Sequence, residues 1–436
     1  MMGSMMRRAM IGDGSTLWLD FTTGQLDPRL TFTRASNATF INSSGLVQTV
    51  NANLPRFDYD PTTLVPQGLL IEGAATNLAL NSETFPTSGT GLWAYENVTA
   101  NATKITAPDG TTNAIQFNET TANNVHRIGQ SVSASAGSVS VSVWVKVLQP
   151  GTPRRLFINA NTFMNARGLF DIDPAVQTGA SGTAVSVTGT AANKAGTWIK
   201  YPNNWYRCTL IGTYSTASTV YFQINRASSS TATDDIFAGS TTNGLAIWGA
   251  QFEAGGASSY IPTVASQVTR NADHCTMPTS SFITGTLYPQ TLFAEFIPAN
   301  PSAAFPDIVR LFDRTAGGTF SYGTELYYYG SSTMTAQRKI NASTNTDRSL
   351  ASGLAYNSRH KLAVAVDSST FLGSYDGLTG SGTTTAPSAL ASQVTHMGVG
   401  CSGDASAGSV MFGTIRQIKW FPFAMTQSQL NALTTL

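Results

Sequence analysis

Two pairs of aspartates spaced two residues apart, Asp58 with Asp60 and Asp171 with Asp173, come nearest to catalytic chemistry in this sequence. Residues i and i+2 of a strand face the same way, and glycoside hydrolysis needs two carboxylates about 5 to 9.5 Å apart across the scissile bond. Each pair runs into a proline, Pro61 or Pro174, and Asp before Pro is turn chemistry. The expectation is that both pairs cap turns. Further along, Glu295, Asp313 and Glu325 stand singly, so no cluster of acids marks a hydrolase. The four histidines, His126, His274, His360 and His396, have no i, i+4 or His-Glu-x-x-His partner. Metal ligation is not expected of them, and isolated polar surface positions account for them.

Cys208, Cys275 and Cys401 are odd in number and far apart, with no zinc spacing and no neighbouring base. They read as small packed residues. Gly400-Cys401-Ser402-Gly403 lacks the five-residue frame of a nucleophile elbow. No cofactor is called for. A structural calcium stays open as an alternative, with Asp234-Asp235 the nearest local pair and no assigned ligand set, because adjacent aspartates on a strand point apart.

Sugar binding needs flat aromatic plates beside hydroxyl and amide donors. Tyr327-Tyr328-Tyr329 offers them: alternation puts Tyr327 and Tyr329 on one face as candidate sugar contacts, with a core-facing role the alternative for that parity. Trp144, Trp205 and Trp248 lie in apolar runs and are expected to anchor a core.

These residues need elements to hold them, and the composition points to strands. Only 11% of the 436 residues are charged, against roughly 25% in typical soluble proteins, so Ser, Thr, Asn and Gly carry the surface. A net charge of +1 without a basic block speaks against a nucleic-acid partner. Arg7 and Arg8 are followed by no apolar stretch that would make a signal peptide or membrane span. The fold class expected is all-β, with two tandem sandwiches behind an extended N-terminal segment. Val139, Val141, Val143, Val145 and Val147 alternate with Ser140, Ser142, Trp144 and Lys146, the period of a strand with one face buried. Comparable runs over 156–159, 184–188, 206–213, 219–226 and 245–252 complete a first module, residues 86–265. Runs over 292–297, 308–312, 324–329, 362–366 and 410–421 make a second, residues 291–436. Residues 266–290, rich in Thr and Ser with Pro278 and Pro289, read as a linker. Residues 1–85 hold apolar runs too short for a core of their own, such as Leu17-Trp18-Leu19, and are expected to lie on a partner or a neighbouring domain. Thr426 and Gln429 form a capping box ahead of Leu430 and Leu433, which predicts a short helix.

Three stretches carry a resemblance. Thr33-Arg34-Ala35-Ser36 through Glu72-Gly73-Ala74-Ala75-Thr76-Asn77-Leu78 resembles a leader recurrent in phage structural proteins. Trp248-Gly249-Ala250-Gln251-Phe252-Glu253-Ala254, with Ser259-Tyr260-Ile261-Pro262-Thr263 and Thr269-Arg270-Asn271-Ala272-Asp273, is similar to the closing strand and exit of carbohydrate-binding-module-like jelly rolls, and Trp205-Tyr206-Arg207-Cys208 to an internal strand of that module. The run Gly413 to Phe421 and the helix after it resemble the end of a laminin-G or concanavalin-A-like lectin domain. The resemblance implies a phage virion protein of the fibre, spike or head-decoration kind, not an enzyme. It would be exposed on the particle, assemble through residues 1–85 with other virion proteins, form a homo-oligomer, a trimer, and contact host surface glycan. Two alternatives stand beside it: a tailspike-like polysaccharide depolymerase, and a decoration protein that binds no sugar.

Overall fold

The computed structural model describes residues 12–85, 92–133, 136–152, 154–160, 166–214, 218–226, 236–299, 306–313, 323–329, 333–339, 345–380, 394–401 and 410–436. Met1 to Met10 and Asp234-Asp235 lie outside these residues.

The strands expected from the period-two pattern are present, and they form two sandwiches. In the first, among the described residues, one sheet runs Ser181–Thr183, Ala195–Tyr201, Trp205–Tyr214, Gly137–Val147, Gly244–Ala254, Ile115–Glu119, Val98–Ala100. It faces a second sheet of Ser186–Gly189, Ala166–Phe170, Arg154–Ala160, Ser218–Arg226, His126–Val132 and Ala94–Glu96. The odd valines of Gly137–Val147 are buried between the sheets with Leu156, Ile158, Cys208, Leu210, Phe222 and Phe252. The even residues therefore face outward, and that outer face carries the candidate site.

The second sandwich is built partly from the N-terminal segment. One sheet orders Leu378–Thr379, Phe371–Tyr375, His360–Val366, Gln290–Pro298, Gly413–Phe421, Pro66–Ile71 and Phe57–Tyr59, with Leu17–Asp20 also paired along Gly413–Phe421. The other orders Thr31–Thr33, His274–Pro278, His396–Val399, Asp307–Phe312, Gly323–Tyr329, Thr333–Lys339 and Asn345–Ala351. Leu17, Leu19, Phe32, Leu69 and Ile71 belong to the same buried cluster as Leu292, Ile308, Ile418 and Trp420.

This corrects the division read from sequence. Residues 1–85 are no separate segment where they are described, since their strands complete the second sandwich. Nor do residues 266–290 form a free linker: Val268–Arg270 pairs with Ala75–Asn77, and His274–Pro278 lies between Thr31–Thr33 and His396–Val399. The apolar runs were too short to make a core alone because each is one strand of a core whose other strands lie hundreds of residues away.

The capping box predicted at Thr426 forms ahead of the helix Gln427–Thr434, with Thr426 accepting from the Gln429 backbone and the Gln429 side chain reaching back. Gly68, at φ +110, lies where a Cβ would stand 2.2 Å from the Ile415 carbonyl oxygen, so only glycine lets Pro66–Ile71 close on Gly413–Phe421. Gly68→Ala should cost on the order of 2 kcal/mol or more. Gly353→Ala, at positive φ but with nothing within 4 Å, should cost less. Urea-denaturation midpoints of the two variants check this, and equal midpoints would contradict it.

Candidate functional site

The leader and exit segments singled out in the sequence meet at one buried ionic cluster between the sandwiches. Arg34 donates to Asp273 at 3.1 Å, and Arg56 donates to Asp273 at 2.5 Å and to Glu72 at 2.7 Å. Arg270 lies 3.6 Å from Glu72. The Ser259 backbone and hydroxyl donate to Glu72 at 2.7 and 2.6 Å, and the Glu72 amide donates to Asp273 at 2.9 Å. Arg34, Arg56 and Arg270 are essentially buried, as are both acids. Burial works against ionised Glu72, but the Arg270 and Arg56 guanidiniums and the Ser259 donors outweigh it and hold this carboxyl at about 2. Ser259 follows the last long strand of the first sandwich while Glu72 follows a strand of the second, so the cluster ties one to the other.

Beside it lies the outer face of the first sandwich. Between Ser142 and Trp144 the pairing of Gly137–Val147 with Gly244–Ala254 shifts register, and Gly249, at φ +67, absorbs the extra residue. A Cβ there would meet the Trp144 ring at 2.8 Å. The bulge brings Trp144 and Trp248 together, ring centroids 5.4 Å apart, with Tyr201 and Tyr260 packed edge-on against Trp144. The hairpin of Ala38–Ile41 and Val47–Val50 partly covers this platform, Val47 packing on the aromatic cluster and donating to the Pro108 carbonyl at 3.0 Å.

A cavity of about 210 Å³ is left between hairpin and platform, lined among others by Asp58, Trp144, Tyr201, Arg207, Ser259 and Tyr260. The Arg207 guanidinium lies 4.5 Å over the Trp144 ring and donates to the Ser258 carbonyl at 2.9 Å and to Ser142 Oγ at 3.1 Å. Asp58 accepts from the Ile41 amide at 2.6 Å. Burial pushes Asp58 up to about 7; the Ile41 hydrogen bond and Arg56 pull it down, and Glu72 and Asp60 push it further up. The cavity thus offers a cation stacked on an aromatic ring, a carboxyl that titrates near neutrality, and apolar walls.

The sequence candidates fare unevenly. Asp60 caps its turn, accepting from the Thr62 and Thr63 amides at 2.9 and 2.7 Å. Asp173 does the same for Ala175 and Gly151, each at 2.9 Å, and Asp171 pairs with Arg155 at 3.2 Å. Asp58 departs from the turn-cap reading: it links two strands and lines the cavity. Neither pair converges as a catalytic dyad. Tyr327 is 7% exposed, so its ring presents little face to a ligand, and the Tyr329 side chain lies outside the described residues. Trp144, Trp205 and Trp248 are buried as expected, but in a satellite cluster on the outer face and not between the sheets.

The surface reading of the histidines is corrected for two of them. His126 is buried with its ring nitrogens 2.7 Å from the Asn97 carbonyl and 3.2 Å from that of Phe237, and His360 pairs with Asp376 at 2.7 Å. The cysteines are buried, and burial raises the Cys208 and Cys275 thiols. Arg207 and the ionic cluster were missed as site residues. The signal was available in the recurrence of Arg and Asp within the quoted motifs.

No family model matches this chain, and no curated protein does. Among solved structures it is similar to the CBM40 of Ruminococcus gnavus IT-sialidase bound to alpha2,3 sialyllactose, at 12% identity over 34% of this chain and 82% of that chain, TM-score 0.29. It is also similar to a heptameric SAP-like pentraxin from Limulus polyphemus, at 12% identity over 33% of this chain and 67% of that one, TM-score 0.27. A third likeness is to the NanB sialidase from Streptococcus pneumoniae, at 15% identity over 37% of this chain and 26% of that chain, TM-score 0.29. The all-β assignment rests on the strand pairing itself.

Proposed function

We propose that the chain is a non-catalytic structural and binding protein of a virion surface, of the fibre, spike or head-decoration kind, that holds a glycan residue in the cavity beneath the Ala38–Val50 hairpin. The observation that carries the binding reading is that the Arg207–Trp144 stack and Asp58 line one and the same apolar-walled cavity. A pyranose has an apolar face that packs on such walls and ring hydroxyls that pair with a carboxylate and a guanidinium. The virion reading is supported by the leader and exit motifs, whose charged residues form the buried cluster. Location on the particle, contact with other virion proteins on the side of residues 1–85, and a trimer that multiplies weak sites complete the proposal. Light scattering on the full-length protein tests the trimer, and a monomer at working concentration would remove it.

One observation favours hydrolysis as a second reading: a carboxyl near 7, Asp58, shares the cavity with an ionised one, Glu72. Glu72, however, already accepts from Arg56 and twice from Ser259, which leaves it poorly placed to attack a sugar. Asp58 is expected to bind and not to act as an acid. Native gels cast with mannan, dextran or lipopolysaccharide should retard the protein more strongly as pH rises from about 6 to about 8 and Asp58 becomes a full acceptor. Asp58→Asn should show no such trend. Release of reducing ends by the wild type that Asp58→Asn abolishes would establish the hydrolytic reading instead.

A further inference from the structure

A second cavity of about 450 Å³ opens on the same outer face, lined by Ile105, Thr106, Gln116, Lys146, Leu148 and Asn203. Lys146 lies two residues beyond Trp144 on Gly137–Val147, about 6.6 Å along the strand, so both cavities draw on the outward-facing residues of that strand. Among the described residues no acidic one lines the second cavity. Lys146 has no ion pair or hydrogen bond among the described residues, while Gln116 is steadied by donating to the Thr103 carbonyl at 2.7 Å. Asn203 is held at φ +60 in the turn before Trp205, and its side-chain amide has no hydrogen bond among the described residues.

We propose that this cavity is a second sugar subsite that takes a carboxylate-bearing residue, the anion pairing with Lys146 and the hydroxyls meeting Asn203 and Gln116. The inference rests on the reading of the outer face as glycan-binding and adds a ligand class to it: an acidic, uronate-type glycan. A partly buried charge without a counter-ion is unfavourable, and burial lowers the Lys146 pKa accordingly. A ligand carboxylate supplies the missing partner. The Leu148 and Ile105 side chains offer an apolar wall for one ring face.

Saturation-transfer NMR with sodium glucuronate, glucose and sodium acetate as separate probes tests this. Wild type should transfer saturation to glucuronate and far less to acetate, since a bare carboxylate lacks the hydroxyl contacts. Lys146→Gln should lose the glucuronate signal at least five-fold, and Lys146→Arg should retain most of it. Equal signals in wild type and Lys146→Gln, or equal binding of acetate, would each overturn the inference. If neutral polysaccharide retards the protein while glucuronate shows no transfer, this subsite fails and the first cavity stands. If no sugar engages the protein in either assay, both fail.

Discussion

Asp273→Ala should destabilise the folded protein by ~3–5 kcal/mol, the cost typical of removing one partner from a buried ion pair. Asp273 is fully buried and accepts from Arg34, Arg56 and the Glu72 amide. Its removal leaves two guanidinium groups and a backbone donor without that acceptor in a place water does not reach. Asp273→Asn keeps one acceptor oxygen and most of the volume and should fall between. An alanine variant with an unfolding midpoint within 0.5 kcal/mol of wild type, to order of magnitude the scatter of surface substitutions, would show that the cluster does not hold the sandwiches together.

Glu72 of that cluster and Asp58 of the neighbouring cavity give a pH dependence with two opposing parts. Glu72 is folded at about 2, below an unfolded value of about 4.3. Its contribution is present above that unfolded value and is lost as pH falls through the folded one. Asp58 is folded at about 7, above an unfolded value of about 3.9. Its contribution is fully present below the unfolded value and is lost as pH rises through the folded one. Because Asp58 is only half-buried, solvent screening trims its share. Denaturation midpoints should therefore rise as pH drops from about 7 towards about 4 and fall below that. Asp58→Asn should reduce the rise, since the pKa values of His360, Glu253 and Glu83 are raised as well and contribute to it, and should leave the acid fall.

Deletion of residues 1–80 should leave a chain that does not fold cooperatively. It removes the strands Leu17–Asp20, Phe57–Tyr59 and Pro66–Ile71 from one sheet and Thr31–Thr33 from the other. With them go Leu17, Leu19, Phe32, Leu69 and Ile71 from the core. At about 1.5–3 kcal/mol per buried side chain, the loss is about 10 kcal/mol, as large as the whole stability of a typical domain. Arg34, Arg56 and Glu72 leave as well. Near-ultraviolet circular dichroism and the sharpness of the urea transition read the outcome. A truncated protein that keeps both signals would restore the view of this segment as a detachable arm.

What the sequence disclosed follows the range of the interactions. The valine alternation over 139–147 and the capping box at Thr426 are local patterns, and both are present in the structure. Leu17–Asp20 is invisible on that basis because its partner is Gly413–Phe421, with Leu17 opposite Trp420. A four-residue strand at the far end of the chain carries no period to read. The site shows the same limit. Asp58 and Asp60 share a spacing and differ in role, because Asp60 closes its own turn while Asp58 is claimed by the Ile41 amide of another strand. The buried places of His126 and His360 depend on Asn97, Phe237 and Asp376, none of which their own neighbourhoods announce. Arg34, Glu72 and Asp273 stood in motifs that were noticed, yet only the long-range pairing shows that those motifs are one cluster.

The central claim is that the cavity between hairpin and platform binds a glycan without cutting it, and Arg207→Ala tests it most directly. Charge-assisted hydrogen bonds are worth about 1.5–3 kcal/mol, so the variant should bind on the order of ten-fold more weakly or worse. The measurement is retardation of wild type and Arg207→Ala in native gels containing lipopolysaccharide or mannan, with reducing ends assayed on the same samples. The account predicts retarded wild type, an Arg207→Ala variant that is folded but runs as in a polysaccharide-free gel, and no reducing ends from either. Equal retardation of the two proteins, or reducing ends released by the wild type, would contradict it.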